Sequence, residues 1–203
     1  MQVGVIDYKA GNLRSVETAL KYLGASFTVG DEPEQLGSVD KLIFPGVGDA
    51  KAAMDVLDQT GFSDYIREFA ATGKPLLGIC VGSQIVLDSS EERSAQCLGL
   101  IPGVARRFPD SAGLKIPQIG WNTVSVVRDS PLLHGIPAEA SFYFVHSYYP
   151  DPASDDAVIG NTDYGVSFAS ILGQDNLSAV QFHPEKSGPW GLKLLQNFLE
   201  RSE

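Results

Sequence analysis

The stretch Lys74-Pro75-Leu76-Leu77-Gly78-Ile79-Cys80-Val81-Gly82-Ser83-Gln84-Ile85-Val86-Leu87 passes from an apolar run into a helical pattern. Residues 75–79 (PLLGI) have the length and unbroken apolar character of a strand buried on both faces. Residues 83–88 read as the helix that follows. A strand handing over directly to a helix is the repeating unit of an α/β sheet. At the joint stands Cys80, flanked by Gly78 and Gly82. A free cysteine is most often a small buried hydrophobe, so only the rest of the chain can make this one a nucleophile.

Working outward, the first half alternates strands and helices. Residues 2–7 (QVGVID) form a short apolar run, and Leu13, Val16, Leu20 and Leu23 then recur at helical spacing. Residues 41–44 (KLIF) are a second run, stopped by Pro45-Gly46. Residues 49–60 and 64–71 read as helices broken at Gly61. Such alternation implies parallel strands with helices over both faces of the sheet. The second half is richer in strands, expected at 119–127, 141–149, 157–161, 166–172 and 179–182, with a last helix over 190–199. The expected architecture is a single α/β domain over residues 1–203, flavodoxin-like, with a mostly parallel central sheet and extra antiparallel strands in the second half.

Composition narrows the function. The 203 residues carry a net charge of −10, which argues against a nucleic-acid backbone as partner. No run approaches the ~18–20 apolar residues of a membrane span, and MQVGVIDYKAGN lacks the basic region of a signal peptide. Two cysteines and three histidines show no metal-ligand spacing, and a reducing cytoplasm is the simplest setting for so few cysteines. Neither metal nor cofactor is expected.

In an α/β sheet, reactive groups gather at the carboxyl ends of the strands. Cys80 falls there, in a G-x-C-x-G arrangement like that of a nucleophile elbow with sulfur in place of oxygen. The helix start beyond it would favour the thiolate. A nucleophile needs a base, and a base needs an orienting group. In Gln181-Phe182-His183-Pro184-Glu185, Pro184 biases His183 towards extended backbone, where side chains two apart point the same way. Glu185 would then hold one ring nitrogen of His183 and leave the other for Cys80. The competing reading is a strand-end histidine followed by an exposed glutamate. His134 reads as a helix end, and His146 as core or site-lining. Pro45-Gly46-Val47-Gly48 is no dinucleotide or Walker loop, but its glycines let backbone N–H groups turn towards an oxyanion.

Together these residues resemble the class I (triad-type) glutamine amidotransferases, in order and in spacing. Asp7-Tyr8, Gly11-Asn12-Leu13-Arg14-Ser15-Val16, Ile119-Gly120-Trp121-Asn122, residues 142–148 (FYFVHSY) and His183-Pro184-Glu185-Lys186-Ser187 are similar to the branch that supplies glutaminase subunits to imidazole glycerol phosphate synthases. The resemblance runs essentially end to end. It implies that Cys80 attacks the side-chain amide of L-glutamine, that His183 moves protons and that Glu185 orients His183. It places the oxyanion hole at Val81 with Gly46, Val47 and Gly48, and glutamine binding at Gln84, Ser147 and Tyr148. It implies a heterodimer in histidine biosynthesis, in which ammonia passes to a (β/α)8 cyclase subunit docked at Asn12, Trp121, Tyr143 and Lys186. Lys9-Ala10 departs from the pattern where the partner docks. Val81 and Ser83 depart at the elbow, where Ser83 is expected to reshape the glutamine pocket slightly. Other readings are the glutaminase subunits of anthranilate, GMP or pyridoxal phosphate synthesis, a flavodoxin-like cysteine hydrolase acting on a peptide or small aldehyde, and a silent binding subunit.

Overall fold

The computed structural model describes residues 1–8, 13–46, 48–110 and 113–201. From the amino end come β1 (Val3–Ile6), α1 (Leu13–Tyr22), β2 (Phe27–Gly30), β3 (Lys41–Gly46), α2 (Ala50–Thr60), α3 (Phe62–Ala71), β4 (Leu76–Cys80) and α4 (Val81–Ile85). Strands dominate the remainder: β5 (Ser89–Ser90), β6 (Ala95–Gln96), β7 (Gly103–Arg107), β8 (Gln118–Thr123), β9 (Ser125–Val126), β10 (Ser141–His146), β11 (Tyr148–Pro152), β12 (Val158–Asp163), β13 (Ser167–Gln174) and β14 (Leu177–Val180). The helix α5 (Gly188–Glu200) closes the chain.

The main sheet has the order β2-β1-β3-β4-β14-β13-β12-β9. Its first five strands pair in parallel, and β13, β12 and β9 extend it antiparallel. The expected mixture of a parallel centre and antiparallel additions is therefore present. Leu76, Leu77 and Ile79 of β4 are fully shielded from solvent, which accounts for a continuous apolar run rather than an alternating one. Because β1, β3, β4 and β14 run the same way, their carboxyl ends line one edge. Gly46 pairs with Cys80, and Val180 with Ile79. This register brings distant pieces of sequence to one place.

Local chemistry sets the helix limits. Asp49 caps α2 by accepting the Ala52 amide at 2.7 Å, and Gly61 ends it in the left-handed region at φ 78°. The break expected at Gly61 is real, and α3 follows at once. The helix after Cys80 differs from expectation: it starts at Val81 and lasts five residues. The carbonyls of Ile85, Val86 and Leu87, which would continue it, instead accept amides of residues 98–101. That loop captures the chain and turns it into β5.

Two long strands expected in the second half are each divided. The 119–127 run splits into β8 and β9. The 141–149 run splits at Ser147, where β10 leaves its partner β8 and β11 joins β7 in a separate four-stranded sheet. The strands β2, β5, β6 and β7 had no clear apolar signal. Three of the four are short or partly exposed: Ser89–Ser90, Ala95–Gln96 and Gly103–Arg107 offer little to an apolar pattern.

Candidate active site

Cys80 adopts φ 56°, ψ −109°. A non-glycine residue at such angles is strained by roughly 1–3 kcal/mol and is held only by its surroundings. Those surroundings are Gly78 and Gly82. A β-carbon on Gly82 would come within 2.5 Å of the Phe44 carbonyl, and one on Gly78 within 2.9 Å of the Gly82 carbonyl. The glycines therefore let β3, β4 and α4 press together while the cysteine turns outward.

The thiol lies in the wall of a cavity of about 270 Å³, lined also by Gly48, Val81, Gln84, Glu92, Pro117, Val145, His146, Ser147, Tyr148 and His183. His183 is 1% exposed. Its Nδ1 lies 2.8 Å from Glu185 Oε1, and both side chains are buried. Nε2 makes no hydrogen bond among the described residues, yet Cys80 acts on it. Burial opposes the charged ring, but Cys80 and Glu185 outweigh burial and hold the imidazole up at about 9. The ring is thus oriented from behind by Glu185 and open in front towards the sulfur. Contacts of this kind often tighten only with substrate bound.

The pairing of His183 and Glu185 arises differently from the sequence expectation. His183 is extended, but Pro184–Lys186 forms a 3-10 turn. The turn, rather than strand alternation, folds the carboxylate back onto the ring. Backbone bonds lock it in place: the His183 amide donates to Tyr143 O at 2.9 Å, Ser187 Oγ donates to His183 O at 2.6 Å, and the Tyr143 amide donates to Ser187 Oγ at 2.9 Å.

Gly48, in the left-handed region at φ 97°, and Val81 both face the cavity. Gly46 stands behind them in β3, where a β-carbon would clash with Tyr8 Oη and Val81. The expectations for Val47, Asn12 and Lys9-Ala10 fall outside the described residues. Gln84, Ser147 and Tyr148 line the cavity. Gln84 Nε2 donates to Tyr148 O at 2.9 Å and to Gln181 Oε1 at 3.0 Å, so both amide hydrogens serve the protein. Ser83 is not part of the cavity wall: it is fully buried behind it, and its hydroxyl donates to Cys80 O at 2.7 Å.

Three contributors were less legible. Glu92 brings a carboxylate to the cavity and accepts the Ala50 amide at 2.7 Å. Burial pushes its carboxyl above the usual range, with that hydrogen bond opposing and Asp49 adding to the rise. In sequence it sits in Glu91-Glu92-Arg93, indistinguishable from a solvated charge run. His146 proves to be both core and wall. Its Nδ1 lies 2.7 Å from Tyr148 O and its Nε2 3.1 Å from Gln118 Oε1. Burial lowers its pKa to about 4, against the pull of the Tyr148 carbonyl and with His183 adding to the fall. Tyr8, at the end of β1, is buried with no partner for its hydroxyl among the described residues, and burial and then Cys80 raise its pKa.

Cys97 is a free, buried thiol pushed by burial, then by Asp88, up to about 12. It is unreactive beside Cys80. His134 ends the 3-10 turn Pro131–Leu133, away from the cavity. Among the described residues no helix is long and apolar enough to cross a membrane, and no group of three or more acidic, histidine or cysteine side chains is arranged to hold a metal. Outside the cavity, Trp121 and Tyr143 oppose each other across β8 and β10 with ring centroids 6.0 Å apart, and Lys186 is exposed.

The family model described as glutamine amidotransferase class-I matches residues 4–202. The chain is 49% identical to imidazole glycerol phosphate synthase subunit HisH of Desulfitobacterium hafniense (strain DSM 10664 / DCB-2) over 197 residues, covering 97% of this chain and 92% of the relative. To the protein of the same name from Chloroflexus aurantiacus it is 47% identical over 205 residues, covering 99% and 96%. Among solved structures, PurLQS from Thermotoga maritima aligns with TM-score 0.75 over 98% of this chain and 97% of that one, at 20% identity, a likeness of fold alone. Matched from end to end by the family model and by such relatives, the chain belongs to the class-I glutamine amidotransferase family, among the HisH subunits of imidazole glycerol phosphate synthase.

Proposed function

We propose that this chain, a single domain working in the cytoplasm, hydrolyses L-glutamine to glutamate and ammonia. The ammonia passes to a (β/α)8 cyclase subunit that makes imidazole glycerol phosphate and an aminoimidazole carboxamide ribotide in histidine biosynthesis. The observation that carries the chemistry is His183, held by Glu185 and open towards a strained Cys80 in one small cavity. Cys80 Sγ attacks the side-chain amide carbon, and the oxygen becomes an oxyanion near the backbone of Val81 and Gly48. His183 gives its proton to the departing nitrogen as the C–N bond breaks, leaving a thioester and ammonia. Water then attacks the thioester, His183 takes up a proton, glutamate leaves and the thiol is restored.

Glu92 stands across the cavity where the α-ammonium of glutamine would find an opposite charge. Trp121, Tyr143 and Lys186 form the docking face for the cyclase, and Asn12, outside the described residues, is a further candidate contact. The backbone links from Tyr143 to His183 make that face continuous with the catalytic base.

The test assays the chain mixed with a (β/α)8 cyclase subunit and its nucleotide substrate. Cys80→Ala should reduce glutamine hydrolysis by about 10⁴-fold or more, while synthesis from added ammonium continues. Glutamine-dependent synthesis surviving in that variant would remove Cys80 from the mechanism. Hydrolysis of a peptide in preference to glutamine would favour the cysteine-hydrolase reading.

A further inference from the structure

We propose that Gln181 is a further catalytic residue, whose side-chain N–H donates to Cys80 Sγ and steadies the thiolate as it forms and departs. Gln181 is completely buried and follows β14, the parallel neighbour of β4. Its Nε2 lies 3.8 Å from Cys80 Sγ, within reach of an N–H to sulfur hydrogen bond.

An amide could present either its nitrogen or its oxygen to the sulfur, and the two ends look alike in shape. Here the surrounding bonds decide. Tyr148 O is a backbone carbonyl and can only accept, so the group of Gln84 that meets it at 2.9 Å must be the NH2. The same NH2 meets Gln181 at 3.0 Å, so Gln181 must offer its oxygen there. Its nitrogen is left facing Cys80. Ser83 Oγ lies 3.5 Å from Gln181 Oε1, but its one proton is committed to the Cys80 carbonyl at 2.7 Å, so the Gln84 bonds alone decide the orientation. One main-chain carbonyl in the pocket wall thereby fixes the orientation of two glutamines and aims a donor at the nucleophile.

The chemistry gives this donor a purpose. A single-turn helix such as α4 carries only a small part of the macrodipole that longer helices bring to a thiolate. The titratable groups around the sulfur are His183 from the turn after β14 and Tyr8 from the end of β1, with Glu92, His146 and Tyr148 elsewhere in the cavity wall. When His183 gives its proton to the leaving ammonia, its positive charge is gone. Gln181 is neutral at every pH and keeps its donor in place throughout the cycle. It also ties the sulfur to the Gln84–Tyr148 wall, where substrate sits.

This inference rests on Cys80 being the nucleophile, and its test separates the two claims. The full-length protein is alkylated with iodoacetamide across pH 5–10, with modification of Cys80 followed by mass spectrometry. Gln181→Met keeps the length and a sulfur able to accept weakly from Gln84 but has no N–H to donate; Gln181→Leu loses both polar ends. In each folded variant, alkylation at pH 7 should slow about tenfold and its midpoint should rise by about one pH unit. kcat for glutamine, measured with the cyclase subunit, should fall by a similar factor with KM little changed. A variant that is less stable but has an unmoved midpoint would make Gln181 structural only and overturn the inference. A Cys80 that resists alkylation in the unaltered protein would overturn the nucleophile assignment itself. Should neither variant fold, the unaltered protein decides by NMR. The Gln181 side-chain amide signal should shift with the same midpoint as alkylation and stop doing so in Cys80→Ala, and a flat signal overturns the inference.

Discussion

The parallel and antiparallel parts of the sheet contribute to the site in different ways. From β3, β4 and α4 come backbone features: a left-handed cysteine, glycines with no room for a β-carbon, and the main chain of Val81 and Gly48. From β10, β11 and the turn after β14 come side chains held by hydrogen bonds, among them His146, His183 and Glu185. Parallel strands with their carboxyl ends aligned fix main-chain positions closely. The second half changes partner at Ser147 and folds a 3-10 turn at Pro184, and so presents side chains at angles that a regular strand would not allow. By this contrast, errors in the first half, the Cys80 thiol itself apart, act through folding, and errors in the second through chemistry.

The strongest probe of that contrast removes the base. His183→Ala should lower kcat for glutamine by about 10³-fold, within the range for loss of a positioned general acid–base. Glu185→Gln should cost clearly less, because a neutral amide still offers an oxygen to Nδ1. Steady-state assays of both with the cyclase subunit check this, and equal losses in folded proteins would deny Glu185 a purely orienting role.

A smaller effect is expected at Glu92. Glu92→Gln keeps the shape and an oxygen for the Ala50 amide but removes the charge offered to an α-ammonium. KM for glutamine should rise roughly tenfold, equivalent to about 1.4 kcal/mol, with kcat nearly unchanged. A fall in kcat at constant KM would place Glu92 in the chemistry rather than in binding.

A separate effect is on stability and involves two histidines whose shifts have opposite signs. His146 is held neutral, its pKa lowered from 6.5 to about 4. Its contribution is complete above pH 6.5 and is lost as pH falls towards 4, because the unfolded chain takes up a proton that the folded one refuses. His183 is raised from 6.5 to about 9. Its contribution is complete below 6.5 and is lost as pH rises through 9. Urea unfolding across pH 4–9 should therefore show a maximum near 6.5 from this pair. In His146→Gln the acid-side slope should lessen by one proton, worth on the order of 2–3 kcal/mol over that span. An unchanged acid slope would mean that His146 is charged in the folded protein.

The same contrast explains what could be read from sequence. In the first half each element has a signature: β4 is an unbroken apolar run, Gly61 ends α2, and Cys80 stands between two glycines. Burial on both faces and the demand for left-handed angles leave few residue choices, so the pattern survives in the letters. The second half hides more. A break at Ser147 leaves the alternation of residues 141–149 intact, because the strand changes neighbours without changing its inward face. Glu92 belongs to a charge run, and only the chain's return beneath α2 turns it inward. Gln181 reads as an ordinary polar residue before Phe182-His183, since nothing local reveals that β14 lies against β4. What was lost is mainly information about which distant strand is adjacent.

The left-handed turn at Cys80 also says something about selection. Glycine occupies φ 56° without steric penalty, so backbone strain alone would favour glycine there. Cysteine stands there against that local preference, in a place where folding and turnover ask for different residues. In a lineage that no longer used the reaction, drift to glycine at this position would be favoured by stability and opposed by nothing. The identity of this one residue therefore works as a molecular record of use, informative in any related chain whose activity is in question.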